Sequence, residues 1–343
     1  MNKIYLLLFL GLSLFSFSLS AQLGGRYTYQ FLNLVSSPKQ AALGGKQITN
    51  YGQNPVEALY NPASINLKMN NQLAVSYVNY IGDINYGAAA YAFDIGEKNR
   101  MIHTGVTYIN YGTFDGFDEF GNATGAFTGS EVAVSGGYAM PLGAESPFFA
   151  GAHLKFISSR LEQFSSLGLA ADLGFTYYNE DSQWLVSIVG RNMGTQLTTY
   201  AGEQEPLPFE LAAGVSKTLS KVPLRWSFTL ENLQVWDIAF RNPTRDQEGL
   251  DGQIEQRDDP GFFNNVLRHS VLGAELFPDR GFTIRLGYNF RRGEELRIVD
   301  QRSFAGISAG FELKIKRARF SYAFARYNSA ANSHFFGLNI DLN

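Results

Sequence analysis

Phe282-Thr283-Ile284-Arg285-Leu286-Gly287-Tyr288-Asn289-Phe290 alternates without a break. Phe282, Ile284, Leu286, Tyr288 and Phe290 are large and apolar, whereas Thr283, Arg285, Gly287 and Asn289 are small or polar. Successive side chains of a strand point to opposite faces, so this stretch is a strand with one apolar and one polar face. The same reading extends outward. Leu167, Leu169, Ala171, Leu173, Phe175 and Tyr177 alternate with Gly168, Ala170, Asp172, Gly174 and Thr176. Phe320, Tyr322 and Phe324 alternate with smaller neighbours, and Phe336, Leu338, Ile340 and Leu342 alternate with Gly337, Asn339, Asp341 and Asn343. Period two predicts about fourteen strands, near 72–80, 84–95, 101–111, 130–140, 147–158, 165–178, 183–191, 208–219, 224–233, 267–277, 281–290, 303–315, 318–327 and 333–343.

Alternation also fits a soluble sandwich with one solvated face. The connections discriminate. Every even-numbered one is short, as at 96–100, 179–182 and 278–280, and every long one is odd-numbered: 112–129, 192–207, 234–266 and 291–302. Outer-membrane barrels have short periplasmic turns and long surface loops. The fold class predicted is therefore an all-β transmembrane barrel of about fourteen antiparallel strands over 72–343. An even count returns both termini to the periplasm and puts the long loops at the cell surface.

The composition agrees. Aromatics reach 14%, with 18 Tyr and 28 Phe, Gly numbers 35, and charged residues are 17%, against about 25% in soluble domains. Rings at the two interfaces and small residues where strands crowd suit a barrel in outer-membrane lipid. Met1-Asn2-Lys3, the apolar run Ile4 to Phe17 and the small-residue end Ser18-Leu19-Ser20-Ala21 read as a signal peptide over 1–21. The alternative, an anchoring helix, is too short to span about 30 Å. No Cys is present, which excludes disulfides, thiolate metal sites and cysteine catalysis. A net charge of −3 gives no reason to expect a nucleic acid partner.

Residues 22–71 are not strand-like. Asn54-Pro55-Val56-Glu57 predicts a helix start, with Asn as N-cap, Pro at the first position and Glu closing a capping box. Pro38 to Leu43 predicts a shorter helical turn ended by Gly44-Gly45. The segment reads as an N-terminal plug or hatch inside the barrel, with a periplasmic tail as the alternative.

Phe31-Leu32-Asn33-Leu34, Ala41-Ala42-Leu43-Gly44-Gly45 and Ala58-Leu59-Tyr60-Asn61-Pro62-Ala63-Ser64 resemble the N-terminal region of FadL-type barrels, Asn61, Pro62 and Ala63 being the most recognisable step. Gly190-Arg191-Asn192-Met193-Gly194 resembles their Asn-x-Gly strand end. Within that superfamily the chain is similar to the PorQ-like, PorV-related barrels of the type IX secretion system. The similarity runs through the mature chain, including His269-Ser270-Val271-Leu272-Gly273-Ala274-Glu275. It implies an outer-membrane anchor for a surface protein of the PorZ type, in an attachment complex with the PorU sortase and the barrel PorV.

Catalytic and metal chemistry find little support. Gly306-Ile307-Ser308-Ala309-Gly310 matches a nucleophile elbow letter for letter, but that elbow needs a strand-to-helix turn, and here it lies in an alternating strand. His103, His153, His269 and His334 fall in four separate strands without ligand spacing. Asp115 to Asn122 lacks the ordered ligand pattern of a calcium loop. No catalytic residue, metal or cofactor is predicted, and the chain reads as a non-enzyme. The longest loop, 234–266, carries Trp236, Phe240, Arg245, Phe262 and Phe263. These types dominate protein-docking hot spots, with girdle aromatics as the alternative. A second functional class stays open: a FadL-like transporter of hydrophobic small molecules.

Overall fold

A computed structural model describes residues 27–96, 99–143, 146–239, 247–248, 254–255, 261–296, 304–328 and 331–343. The predicted signal peptide lies outside them. Fourteen strands close into one antiparallel barrel: β1 (Gln72–Asn79), β2 (Asn85–Asp94), β3 (Met101–Phe117), β4 (Ala123–Pro141), β5 (Phe148–Leu161), β6 (Phe164–Asn179), β7 (Trp184–Thr198), β8 (Glu210–Thr218), β9 (Leu224–Leu230), β10 (Ser270–Leu276), β11 (Phe282–Asn289), β12 (Ile307–Ile315), β13 (Ala318–Ala325) and β14 (Ser333–Asp341). Each pairs with its sequence neighbours, and β1 closes the ring by pairing with β14 from Gln72↔Asp341 to Asn79↔His334. Closure leaves no unpaired edge around the ring, which hydrocarbon would penalise heavily.

The faces are inverted relative to a soluble protein. On β11, Phe282 and Leu286 are exposed while Thr283, Arg285 and Asn289 are buried. On β6, Leu169, Leu173 and Phe175 are exposed while Asp172 and Thr176 are sealed. The apolar set thus faces outward to lipid and the polar set faces the lumen.

Two long loops of the sequence reading are shorter in the structure. β3 and β4 continue past the predicted 111 and 130 into a projecting two-stranded ribbon, because the Asp118 carboxylate accepts from the backbone of Phe120 (2.9 Å) and Asn122 (2.8 Å) and so closes a tight turn. β7 likewise runs on to Thr198. The connection after β9 ends in helix α2 (Phe262–His269), so β10 starts at Ser270 rather than 267. Before α2, Gln247–Glu248 pairs with Ile254–Glu255. The connection after β11 opens with helix α3 (Phe290–Glu295), capped by the Asn289 side chain on Arg292 N.

Residues 27–71 are almost wholly buried against lumen-facing side chains. Helix α1 (Pro38–Ala42) is capped by Ser37 and ends at Gly44, whose φ of +100° suits glycine. Three short 3-10 turns follow, each started by an Asn side chain on a backbone N–H: Asn54 on Val56, Asn61 on Ala63, Asn66 on Lys68. The Asn54 cap stands as predicted, but the element is 3-10 rather than α. Glu57 does not close a capping box; it accepts instead from the Ser37 hydroxyl. The core is the seam between this segment and the wall. Val56, Leu59 and Tyr60 pack on Ala74, Ala88 and Ala90, and Phe31 and Leu32 join Val78, Tyr86, Ile109 and Phe335 in one cluster. Alanines on the wall leave room for the larger side chains of the segment.

Candidate functional site

The Asn61-Pro62-Ala63 step is one place where the segment lies directly against the wall. Asn61 Oδ1 accepts from Ala63 N (3.0 Å), while its Nδ2 donates to Ile48 O (2.8 Å) and to the Thr176 hydroxyl (3.2 Å). Pro62 shortens the turn without leaving a buried N–H. The turn lies against Gly151 of β5 and Gly174 of β6: a Cβ on Gly151 would sit 2.3 Å from Pro62 O, and one on Gly174 2.3 Å from Asn61 Oδ1. Only glycine admits the backbone at that distance.

Beside it the lumen face carries a chain of buried polar groups. His103 of β3, Gly137 of β4, His153 of β5 and Asp172 of β6 are successive cross-strand partners. Gly137 has no side chain, so the imidazoles meet across it, with His153 Nε2 3.1 Å from His103 Nδ1. His103 Nε2 in turn lies 2.9 Å from Pro55 O, the first carbonyl of the turn that Asn54 caps. Asp172 forms an ion pair with Lys155 (2.7 Å) and accepts from Asn192 N (2.8 Å).

That last contact sits on a bulge. Ala171 pairs with Met193 and Leu173 with Gly190, so Arg191 and Asn192 together oppose Asp172. Asn192 takes φ +57°, a conformation Asn tolerates better than most residues. The Asn-x-Gly step is therefore a mid-strand bulge of β7 and not a strand end as expected. Bulges re-aim side chains, and here both Arg191 and Asn192 turn into the lumen. Arg191 pairs with Glu210 of β8, which also holds Lys46 of the N-terminal segment at 2.8 Å. Asn192 donates to Asn33 Oδ1 at 3.2 Å.

A second ionic cluster occupies the short-turn end. Glu275 is approached by Lys39 (3.7 Å), Arg225 (3.3 Å) and Arg285 (3.1 Å), and Glu312 by Arg285 and Arg319 (3.0 Å each). Lys39, Glu275, Arg285, Glu312 and Arg319 line a cavity of about 110 Å³ together with Glu57. Burial pushes the Glu57 carboxyl up, with Lys39 and Ser37 opposing it. At the other end a cavity of about 350 Å³ is lined by Tyr27, Phe209, Glu231, Ile238, Arg292 and Tyr327 among others. Burial pushes Glu231 up and Lys46 down. Breaking one member of a buried pair costs about 3–5 kcal/mol, so these clusters hold the segment in one seat.

Of the residues predicted for docking, Trp236, Phe262 and Phe263 come together at the long-loop end. Trp236 stacks on His269 with ring centroids 5.3 Å apart, and meets Phe262 at 5.3 Å. Phe262 and Phe263 remain 63% and 81% exposed. Phe240 and Arg245 lie outside the described residues. Ser308 is sealed on the lumen face and donates to Ala42 O (3.1 Å), so its hydroxyl ties the wall to α1. Among the described residues no cluster of three or more His, Cys, Asp or Glu could hold a metal. The Asn61 motif is legible in the sequence, whereas the His103–His153 contact and the pairs at Asp172 and Glu210 are not. Lumen-facing charges in otherwise apolar strands were the available signal.

A closed antiparallel barrel with lipid-type exterior and a helical segment in its lumen defines an outer-membrane barrel. No protein-family model and no curated protein matches the chain. Among solved structures it is similar to the deltaS2S3 mutant of the TodX monoaromatic hydrocarbon channel, with a TM-score of 0.50 and 11% identity over 88% of this chain and 96% of that one. The TodX deltaS2 mutant follows at 0.49 and 12% over 88% and 96%, and a Pseudomonas aeruginosa FadL homologue at 0.46 and 10% over 90% and 99%. The likeness to the TodX channel structure shows a shared barrel fold.

Proposed function

We propose that this chain is an outer-membrane barrel, closed by its own hatch, that holds a surface protein at its long-loop end. In this reading both termini are periplasmic and residues 27–71 are the hatch. The observation that carries it is the pinning of that hatch to the wall by buried ion pairs at Glu210 and Glu275 and by the Gly151 and Gly174 contacts. A lumen seated so firmly favours a structural role over passage. The exposed Trp236, Phe262 and Phe263 supply the hot-spot chemistry that a docking site needs. This matches the PorQ-like resemblance, whose partner is a PorZ-type protein in an attachment complex with PorU and PorV.

A second reading, passage of hydrophobic small molecules, is favoured by the likeness to the TodX channel. The 350 Å³ cavity also offers Tyr27, Phe209, Val235, Ile238 and Tyr327 as an aromatic and aliphatic lining. The TodX likeness supports this reading and the seated lumen segment supports the first.

The test is purification of the tagged barrel from native membranes. A PorZ-type surface protein should accompany it, and replacing 240–260 by a Gly-Ser link should remove that protein while the barrel stays folded, since surface loops tolerate such changes. Retention of the protein by the shortened barrel would exclude this loop as the docking site.

A further inference from the structure

β3 pairs with β2 only as far as Asn110↔Asn85, and β4 pairs with β5 only from Gly129↔Leu161 onward. Beyond those points β3 and β4 pair with each other alone, through Thr113↔Thr128, Phe114↔Phe127 and on to Phe117↔Ala123. The register shifts between Asn110 and Thr113, where Gly112 takes φ +78°, so a bulge stands at the base of the ribbon. At about 3.3 Å per residue it stands roughly 20 Å proud of the barrel at the long-loop end. Among the described residues neither of its outer edges has a neighbouring strand.

The ribbon is also coated with rings. Phe114 and Phe127 stack with centroids 5.4 Å apart, and Phe117 and Phe120 are 64% and 81% exposed. Between 112 and 128 it carries Asp115, Asp118 and Glu119 and no Lys, Arg or His. A free strand edge with apolar rings is an aggregation hazard unless something covers it. A second copy of the chain is disfavoured as that cover, because like charges would face each other across the new pair.

We propose that this ribbon is the docking strand for a surface protein that adds an extended, Lys- or Arg-bearing segment to its free edge. Backbone hydrogen bonds supply the affinity, as in other strand additions, and Asp115 and Glu119 select basic side chains. The inference rests on the anchoring reading above and assigns the contact to a second element besides the 234–266 loop.

The probes are two extended peptides, alternating Lys-Val and alternating Glu-Val, applied to the purified full-length barrel in nanodiscs. The Lys-Val peptide should slow amide exchange within 112–117 or 123–128. Its affinity should fall about tenfold or more in the Asp115→Asn, Glu119→Gln variant, and again when salt rises from about 50 to about 500 mM. Asp118 is left alone because it holds the turn. A barrel with 113–127 replaced by Asn-Gly should not bind it. Equal binding of both peptides, no protection in the ribbon, or a ribbon-dependent dimer would each overturn the proposal. If the native surface protein still copurifies with the trimmed barrel, the ribbon inference fails while the anchoring reading stands. If no such protein accompanies the wild-type barrel either, both fall.

Discussion

Lys155 Nζ stands 2.7 Å from Asp172 Oδ2, and both side chains are buried between the β7 bulge and the hatch. The pair ties β5 to β6 within the wall, and Lys155 also donates to the bulge residue Asn192 at 2.9 Å. Lys155→Met leaves Asp172 uncompensated and should cost about 3–5 kcal/mol. The midpoint at which the heat-modifiable band unfolds on a gel should fall accordingly. Adding Asp172→Asn to Lys155→Met should recover most of the loss, since removing both charges is far less costly than removing one.

Gly151→Val and Gly174→Val should displace the Asn61-Pro62-Ala63 turn, because their added atoms begin within 2.3 Å of it. The barrel wall should survive and remain heat-modifiable. The hatch should loosen, read as faster protease cleavage within 27–71 and a rise in planar-bilayer conductance. Gly136→Val is the control: a Cβ there meets no atom within 4 Å, and neither readout should move.

Glu57 makes hatch seating depend on pH. Burial raises its folded pKa above the unfolded value, so the folded form binds the extra proton more readily. Stability from this group is complete below the unfolded pKa and is lost as pH rises through the folded one. Hydrogen exchange of residues 54–60 should therefore be slower near pH 4 than near pH 8, after correction for intrinsic rates. Glu57→Gln should flatten that difference.

Phe263→Ala should barely change stability, since an exposed surface substitution is usually worth less than about 0.5 kcal/mol. If Phe263 docks a partner, the same change should weaken that complex by about 2 kcal/mol, roughly thirtyfold. Trp236→Ala should do likewise but with some structural cost, because its ring stacks on His269. Surface plasmon resonance with the copurified surface protein checks both.

What the sequence made legible was whatever depends on spacing along one strand. Phe282, Ile284, Leu286 and Tyr288 declared the outward face because period two is local. Pro62 and Asn61 were visible as a motif. The meeting of His103 with His153 was not, since it depends on the register of three strands and on Gly137 lying between them. Nor was the ribbon beyond Asn110, where exposed Gly, Thr and Asp residues read as loop. Local spacing points Glu57 to a capping box, whereas its actual partner, Ser37, lies twenty residues away.

The most direct test of the anchoring account measures two quantities in the same cells after deletion of this chain. One is the amount of PorZ-type protein and exported cargo held at the surface; the other is the uptake rate of a hydrophobic compound such as toluene. Loss of surface protein with unchanged uptake is the predicted result. Surface protein fully retained while uptake falls would contradict the account and establish the channel reading in its place.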